Sequence, residues 1–91
     1  MSISNHIRNY FEQLVAEEIL RTVAGRNPPA HVDYMADVAC VALNRLPARY
    51  IRYEVDMAFY MTPDELISTH KAVTDAVRDA LVFVDTHKRD D

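Results

Sequence analysis

The sequence predicts a small all-α domain of three to four helices, with an extended arm between the second and the last long helix. Two observations favour this class. Hydrophobic residues make up 49% of the 91 residues and there is only one glycine, as expected of a compact helical chain. Apolar residues also recur at three- and four-residue spacing in three segments. We expect a single domain over residues 1–91, with residues 1–4 and 86–91 flexible.

The first helix is predicted over Asn5 to Ala24. Ser4 can cap its start and Gly25 can end it, and Asn5-His6 or Ser2 is the alternative start. A helix with one apolar face packs that face against the rest of the domain. The apolar face comprises Ile7, Tyr10, Phe11, Leu14, Val15, Ile19, Leu20 and Val23.

The second helix is predicted from about Val32 to Leu46. Two prolines within residues 26–29 break the chain before it. Pro47 ends it, because the proline ring disfavours helical geometry at the preceding residue. Apolar residues lie on more than one side of this helix, so more than one side must be covered. In so short a chain we expect the second cover to be another copy, which predicts an intertwined homodimer.

Residues 51–61 form the predicted arm. Apolar and polar residues alternate there from Tyr53 to Met61, with the two-residue period of an extended segment. A lone strand cannot satisfy its own backbone groups. The segment therefore pairs with its mate in a second copy, packs as an irregular arm, or forms a short helix. The last two alternatives are preferred to the first.

The last helix has the clearest start in the chain. Thr62 is a capping residue, Pro63 takes the first helical position, and Asp64 and Glu65 place acids in the first turn. Helical spacing then continues to about Asp85. The expected inner face comprises Leu66, Ile67, His70, Val73, Val77, Leu81 and Val84.

Composition argues against several classes of function. The net charge of -4 does not suit general binding of DNA or RNA, which needs a broad basic surface. Cys40 is the only cysteine, so we expect no disulfide framework, no metal site and a buried, inert thiol. No apolar run approaches the length of a membrane span, and we expect a cytoplasmic protein without membrane insertion. No catalytic constellation stands out, so we expect neither an enzyme nor a cofactor.

Basic and aromatic residues are concentrated after the second helix. Arg45, Arg49 and Arg52 are three of the ten Lys and Arg residues and fall within eight positions. Guanidinium groups bind phosphate through paired hydrogen bonds and also stack on rings. Together with Tyr50 and Tyr53, these arginines suit a flat, anionic ligand such as a nucleotide.

Asn44 and Arg45 also have a structural interpretation. They lie in the last turn of the predicted helix, where exposed carbonyl groups favour a capping amide and a nearby cation. Glu18 or Asp37 would then serve as the carboxylate partner. From the residues alone, this interpretation is preferred to ligand binding.

The run from Asp37 to Tyr50, DVACVALNRLPARY, resembles the central motif of the late competence development protein ComFB family. In that motif an apolar helix leads into an Asn-Arg-Leu-Pro segment closed by a tyrosine. The resemblance covers roughly Ile7 to Val84 and implies a small, all-helical homodimer without enzymatic activity. One branch of the family has a cysteine-rich zinc site, from which this chain departs because it has only Cys40.

Other members of the family resemble receptors for the second messenger cyclic di-GMP, linked to competence, type IV pili, motility and cell size. The resemblance therefore implies a non-enzymatic regulatory protein that binds cyclic di-GMP and relays its level to a protein effector. Competence, type IV pili, motility or biofilm formation would be the process controlled. The alternative is a constitutive helical adaptor between proteins, without a nucleotide ligand.

Ligand contacts are assigned from residue chemistry. We expect Arg45 and Arg49 to bind phosphates. Asn44 suits a base edge or a ribose, and Tyr50 suits stacking on a base. A two-fold dimer presents this cluster twice, which matches the symmetry of cyclic di-GMP. The weaker candidates are Arg8 and Arg52.

Overall fold

The computed structural model describes residues 2–53, 55–56 and 61–87. Within these residues the mostly helical architecture is confirmed, with three long helices. A small antiparallel sheet of two strands is an addition to the predicted all-α class. In chain order, the elements are a 3-10 helix Ile3–His6, β1 Arg8–Asn9, α1 Phe11–Val23, α2 Val32–Asn44, β2 Tyr50–Ile51 and α3 Pro63–Thr86.

The predicted start of α1 near Asn5 is wrong, since the helix begins at Phe11. The chain is extended at Ile7, and β1 then pairs with β2. Pairing with a distant segment thus overrides the helical spacing of the local sequence. At the other end, Gly25 has a φ of 80° and ends the helix as predicted, because glycine adopts this left-handed conformation without strain.

The predicted start of α2 at Val32 is confirmed. The imidazole Nδ1 of His31 accepts a hydrogen bond from the backbone N–H of Asp33 at 3.0 Å, which caps the helix. The helix ends at Asn44, two residues before the predicted end at Leu46. Its last turn tightens before the proline, because the backbone N–H of Arg45 bonds to carbonyl groups of the preceding turn.

The predicted start of α3 is also confirmed. Thr62 Oγ1 accepts a hydrogen bond from the backbone N–H of Glu65 at 3.1 Å, and Pro63 lies in the first turn. The inner face of the first turns is less buried than expected. Leu66, Ile67 and His70 are exposed, whereas Val73, Val77 and Leu81 are buried and Val84 is half-buried.

The core lies where the three helices meet. Side chains at every fourth position of α1 form one wall of it, and small residues on α2 and α3 let the helices approach closely. Burial of these apolar side chains is the main source of stability for such a domain. The buried core residues are Phe11, Val15, Ile19, Val23, Val38, Ala42, Leu46, Val73, Ala76, Val77, Ala80 and Leu81.

The predicted arm begins with β2, which pairs with β1 of the same chain. Among the alternatives for this segment, the short helix fits Val55 and Asp56, which are helical. Residues 54 and 57–60 of the arm lie outside the described residues. Ile51 and Met61 form a second, smaller buried cluster, packed against Tyr10.

The outer side of α2 is exposed in the single chain. Val32, Ala36 and Cys40 all face solvent, so the expectation of a buried thiol is wrong for the isolated chain. The second cover that was predicted for this helix, another copy of the protein, stays a prediction. In the part of the chain that the structure describes, no helix is long and apolar enough to cross a membrane.

Candidate ligand-binding site

A two-residue ladder joins the N-terminal segment to the segment that follows α2. Arg8 pairs with Ile51, and Asn9 pairs with Tyr50. Two candidate site residues that are far apart in the sequence, Arg8 and Tyr50, therefore lie on neighbouring strands. Because successive residues of a strand point to opposite faces, Arg8 shares one face with Ile51 and Tyr50 shares the other with Asn9.

Asn9 fixes the segment that carries Arg49 and Tyr50. Its side chain is buried, and its Oδ1 accepts hydrogen bonds from the backbone N–H groups of Arg49 at 3.0 Å and Phe11 at 3.2 Å. The backbone N–H of Tyr10 donates to the carbonyl oxygen of Arg49 at 2.6 Å. Both backbone polar groups of Arg49 are thus bonded to one short segment, which holds the residue in place.

Sequence reasoning missed Asn9 because it expected the first helix to start upstream of this residue. Asparagine is one of the preferred N-cap residues, and its side chain commonly accepts from an N–H of the first turn. The bond from the Phe11 N–H to Asn9 Oδ1 resembles this pattern, with Asn9 one residue before the N-cap residue Tyr10. The presence of this asparagine two residues before the start of α1 was therefore the signal in the sequence that could have found it.

The side chains that follow this anchor are exposed. Tyr50 presents 66% of its surface to solvent, and Arg49 is also exposed. The guanidinium carbon of Arg52 lies 5.0 Å from the ring centroid of Tyr53. A guanidinium group beside an exposed ring offers both a cation and a stacking surface. We call Arg49, Tyr50, Arg52 and Tyr53 the strand edge.

Arg45 lies in a different environment. Its guanidinium carbon is 5.5 Å from the ring centroid of Phe83, near the end of α3. The Phe83 ring in turn stacks on His87, with ring centroids 4.2 Å apart. Glu18, one of the two carboxylate partners considered for Arg45, is instead bonded to Arg21. Arg45 therefore packs on an aromatic pair at the C-terminal end of α3.

Asn44 makes a contact within its own helix. The side-chain Nδ2 donates to the backbone carbonyl oxygen of Cys40 at 2.9 Å. This is a local bond from a side chain to the carbonyl group one turn back in the same helix. The structural interpretation accounts for this contact, and Asn44 is separated from the strand edge by Pro47 and its neighbours.

Basic side chains on α1 and α3 are paired with carboxylates. The hydrogen bond from Arg21 holds the pKa of Glu18 below its ordinary value. On α3, the hydrogen bond from Lys71 is the main cause of a lowered pKa at Asp75. These pairs are exposed and contribute little to stability, but they neutralise the cations of the two helices.

The arginines of the strand edge differ from these basic residues in their ion pairs. Among the ion pairs that join described residues, none involves Arg49 or Arg52. A local group of cations attracts anions even when the whole protein has a net charge of -4. The strand edge therefore combines two arginines with two exposed tyrosine rings, which is suitable chemistry for a phosphate group attached to a flat ring.

A metal centre has no support in the described residues. Residues 2–53, 55–56 and 61–87 contain no group of three His, Cys, Asp or Glu side chains arranged to hold a metal ion. Zinc sites need three or four such ligands in close proximity. The exposed thiol of Cys40 does not provide one by itself.

One known protein family matches most of the chain. Residues 8–88 match the family described as Late competence development protein ComFB. The chain belongs to the ComFB family. The matched range runs from β1 past the end of α3, so it includes Asn9, the strand edge and Arg45. Membership of the ComFB family indicates a role in competence-related regulation. A search of curated proteins found no match.

Proposed function

We propose that this ComFB-family protein is a non-enzymatic regulator that binds cyclic di-GMP and passes the messenger level to a protein effector. The observation that carries the proposal is the strand edge, where exposed guanidinium groups and tyrosine rings follow a backbone held by Asn9. Guanidinium groups bind phosphate oxygens in pairs, and aromatic rings stack on bases. These are the two chemistries that a cyclic dinucleotide presents.

The proposed roles follow from the contacts of each residue. Arg49 binds a phosphate, because its backbone is fixed while its side chain is exposed. Tyr50 stacks on a base, and Arg52 adds a second cation. Arg8 lies on the neighbouring strand but on the face opposite Tyr50, so it is a weaker candidate for contact with this ligand. Arg45 reaches the ligand only by leaving the ring of Phe83, so its participation would change the packing at the end of α3.

Calorimetric titration with cyclic di-GMP tests the proposal, with cyclic di-AMP and GTP as control ligands. We expect selective binding of cyclic di-GMP near one ligand per dimer, together with a rise in Tm. A ligand that binds only the folded state must stabilise it by mass action. No heat and no thermal stabilisation would contradict the proposal.

A second copy completes the proposed receptor. α2 exposes Val32, Ala36 and Cys40 along one side, and a charge placed in an apolar interface is costly. We expect Ala36→Glu to shift the protein from dimer to monomer in sedimentation equilibrium. Ala16→Glu, at an exposed position of α1, is the matched control and should leave the mass unchanged. A wild-type protein that sediments as a monomer would contradict this part of the proposal.

A constitutive protein–protein adaptor is the second candidate. The contacts of Asn44 with its own helix and of Arg45 with Phe83 favour it, because they give these two residues a structural role. This candidate predicts that Arg45→Ala lowers the Tm and that no nucleotide raises it. The calorimetric titration therefore separates the two functions.

A further inference from the structure

A cleft of about 500 Å³ lies beside the strand edge. It is bordered by the start of α1, the segment after α2 and the first half of α3. Its lining includes three buried apolar side chains, Phe11, Leu46 and Met61. Small-molecule sites in proteins typically have volumes of roughly 300–1,000 Å³ and are mostly apolar, so the cleft has the size of a ligand site.

Small side chains keep this cleft open. Ser68 and Ala72 lie one turn apart on α3, and both line the cleft. Ala48 lines it from the segment after α2. Larger side chains at these positions would fill the space, so substitution of one small residue offers a direct way to close the cleft.

Three polar side chains line the otherwise apolar cleft. Ser68 and Thr69 contribute hydroxyl groups, which both donate and accept hydrogen bonds. Arg49 contributes a cation and also belongs to the strand edge. An apolar lining with hydroxyl groups and one cation is complementary to a flat ring that has a polar rim and an attached phosphate.

We propose that this cleft is a nucleobase subsite. A purine ring lies against Phe11, Leu46 and Met61, with its polar rim hydrogen-bonded to Ser68 and Thr69, while Arg49 binds the adjoining phosphate. The inference rests on the proposed function and names the part of the protein that receives a base. It assigns ligand contacts to α3, which the sequence-based set of site residues did not include.

The first test closes the cleft. Ser68→Leu places a large side chain in it, and Thr74→Leu makes the same kind of change at an exposed position of α3 that does not line the cleft. Leucine favours helix more than serine or threonine, so both variants should keep the fold, as measured by circular dichroism. We expect Ser68→Leu to weaken cyclic di-GMP binding about tenfold or more, in line with the loss of one base contact. Thr74→Leu should match the wild type.

The second test locates the base without a substitution. An aromatic ring in the cleft should shift the methyl resonance of Met61 in NMR spectra recorded during a cyclic di-GMP titration. Met35 is the internal control, because it packs against the helical core and does not line the cleft.

The outcomes of the two tests separate the two proposals. Binding with a Met61 shift, lost in Ser68→Leu, would support the subsite. Binding that leaves Met61 unshifted and is unaffected by Ser68→Leu would overturn the subsite while the proposed function stands. No binding of cyclic di-GMP to the wild-type protein would overturn both.

Discussion

Arg45 and Arg49 are neighbours in the sequence but belong to two different regions of the molecule. Arg45 is held by its side chain, which packs on Phe83 at the end of α3. Arg49 is held by its backbone, which bonds to Asn9 and Tyr10, and its side chain is exposed. The comparison teaches that a cationic run in a sequence need not be one site. The guanidinium group of one arginine packs on an aromatic ring, and the side chain of the other is exposed beside the strand pair.

The largest expected effect comes from Asn9, which anchors the strand edge. Asn9→Ala leaves the N–H groups of Arg49 and Phe11 without their acceptor. Each unsatisfied buried donor costs about 1–3 kcal/mol, so we expect a loss of about 3 kcal/mol in the free energy of unfolding, measured by urea denaturation. Asn9→Asp keeps an acceptor oxygen and should recover most of the loss. If Asn9→Ala is as stable as the wild type, Asn9 does not hold the strand edge in place.

Arg49→Ala should have the next largest effect, and on binding rather than stability. Loss of a charge-assisted hydrogen bond costs about 2 kcal/mol, or roughly thirtyfold in Kd for cyclic di-GMP. The Tm should not change, because the side chain is exposed. Arg78→Ala, which removes an exposed arginine from α3, is the control for net charge. Equal losses of affinity in the two variants would mean that only overall charge matters.

Tyr34→Phe probes the helical region, where a second side-chain contact joins α2 to the end of α3. The Tyr34 hydroxyl donates to the Asp85 carboxylate at 2.7 Å. We expect removal of this bond to cost about 1 kcal/mol in the free energy of unfolding, without a change in ligand affinity. A large loss of cyclic di-GMP binding in Tyr34→Phe would mean that the helical region and the strand edge do not act independently.

Because of the hydrogen bond between Tyr34 and Asp85, we expect the free energy of unfolding to depend on pH in the alkaline range. Burial, followed by the hydrogen bond to Asp85, raises the pKa of Tyr34 above its ordinary value. The folded state thus favours the neutral phenol, and this contribution is present below the ordinary value of about 10 and is lost as the pH rises beyond it. Urea denaturation at several pH values should show wild-type stability falling toward that of Tyr34→Phe above about pH 10. A constant difference across that range would contradict the assignment.

Arg45→Ala should have the smallest effect. A cation–π contact at an exposed site is worth about 0.5–1 kcal/mol, so a small decrease in Tm is expected in differential scanning calorimetry. Phe83→Leu removes the same contact together with the stacking of Phe83 on His87, and should give a larger decrease. If Arg45→Ala loses as much ligand affinity as Arg49→Ala, Arg45 also binds the ligand. Its side chain must then leave the ring of Phe83 when the ligand binds.

Much of the fold was predictable because its signals are local. Thr62 and Pro63 specify the start of α3 within one turn of chain, and Gly25 specifies the end of α1. The strand pair was not predictable in this way, because Arg8 and Ile51 come together only in the folded chain. The delayed start of α1 and the role of Asn9 follow from that pairing.

The candidate site was predictable in composition but not in arrangement. The density of arginine and tyrosine identified residues 44–53. The sequence could not reveal that Phe83 contacts Arg45, since Arg45 directly follows α2 whereas Phe83 lies near the end of α3. Nor could it reveal the contribution of Ser68 and Thr69 to the cleft beside Arg49.

An NMR titration of backbone amides with cyclic di-GMP tests directly whether the strand edge binds the messenger. The account predicts that the amide resonances of Asn9, Arg49, Tyr50 and Arg52 shift with saturation, while those of the Phe83–His87 turn move little. Shifts confined to the end of α3, or no shifts at any ligand concentration, would contradict the claim that the strand edge binds the messenger.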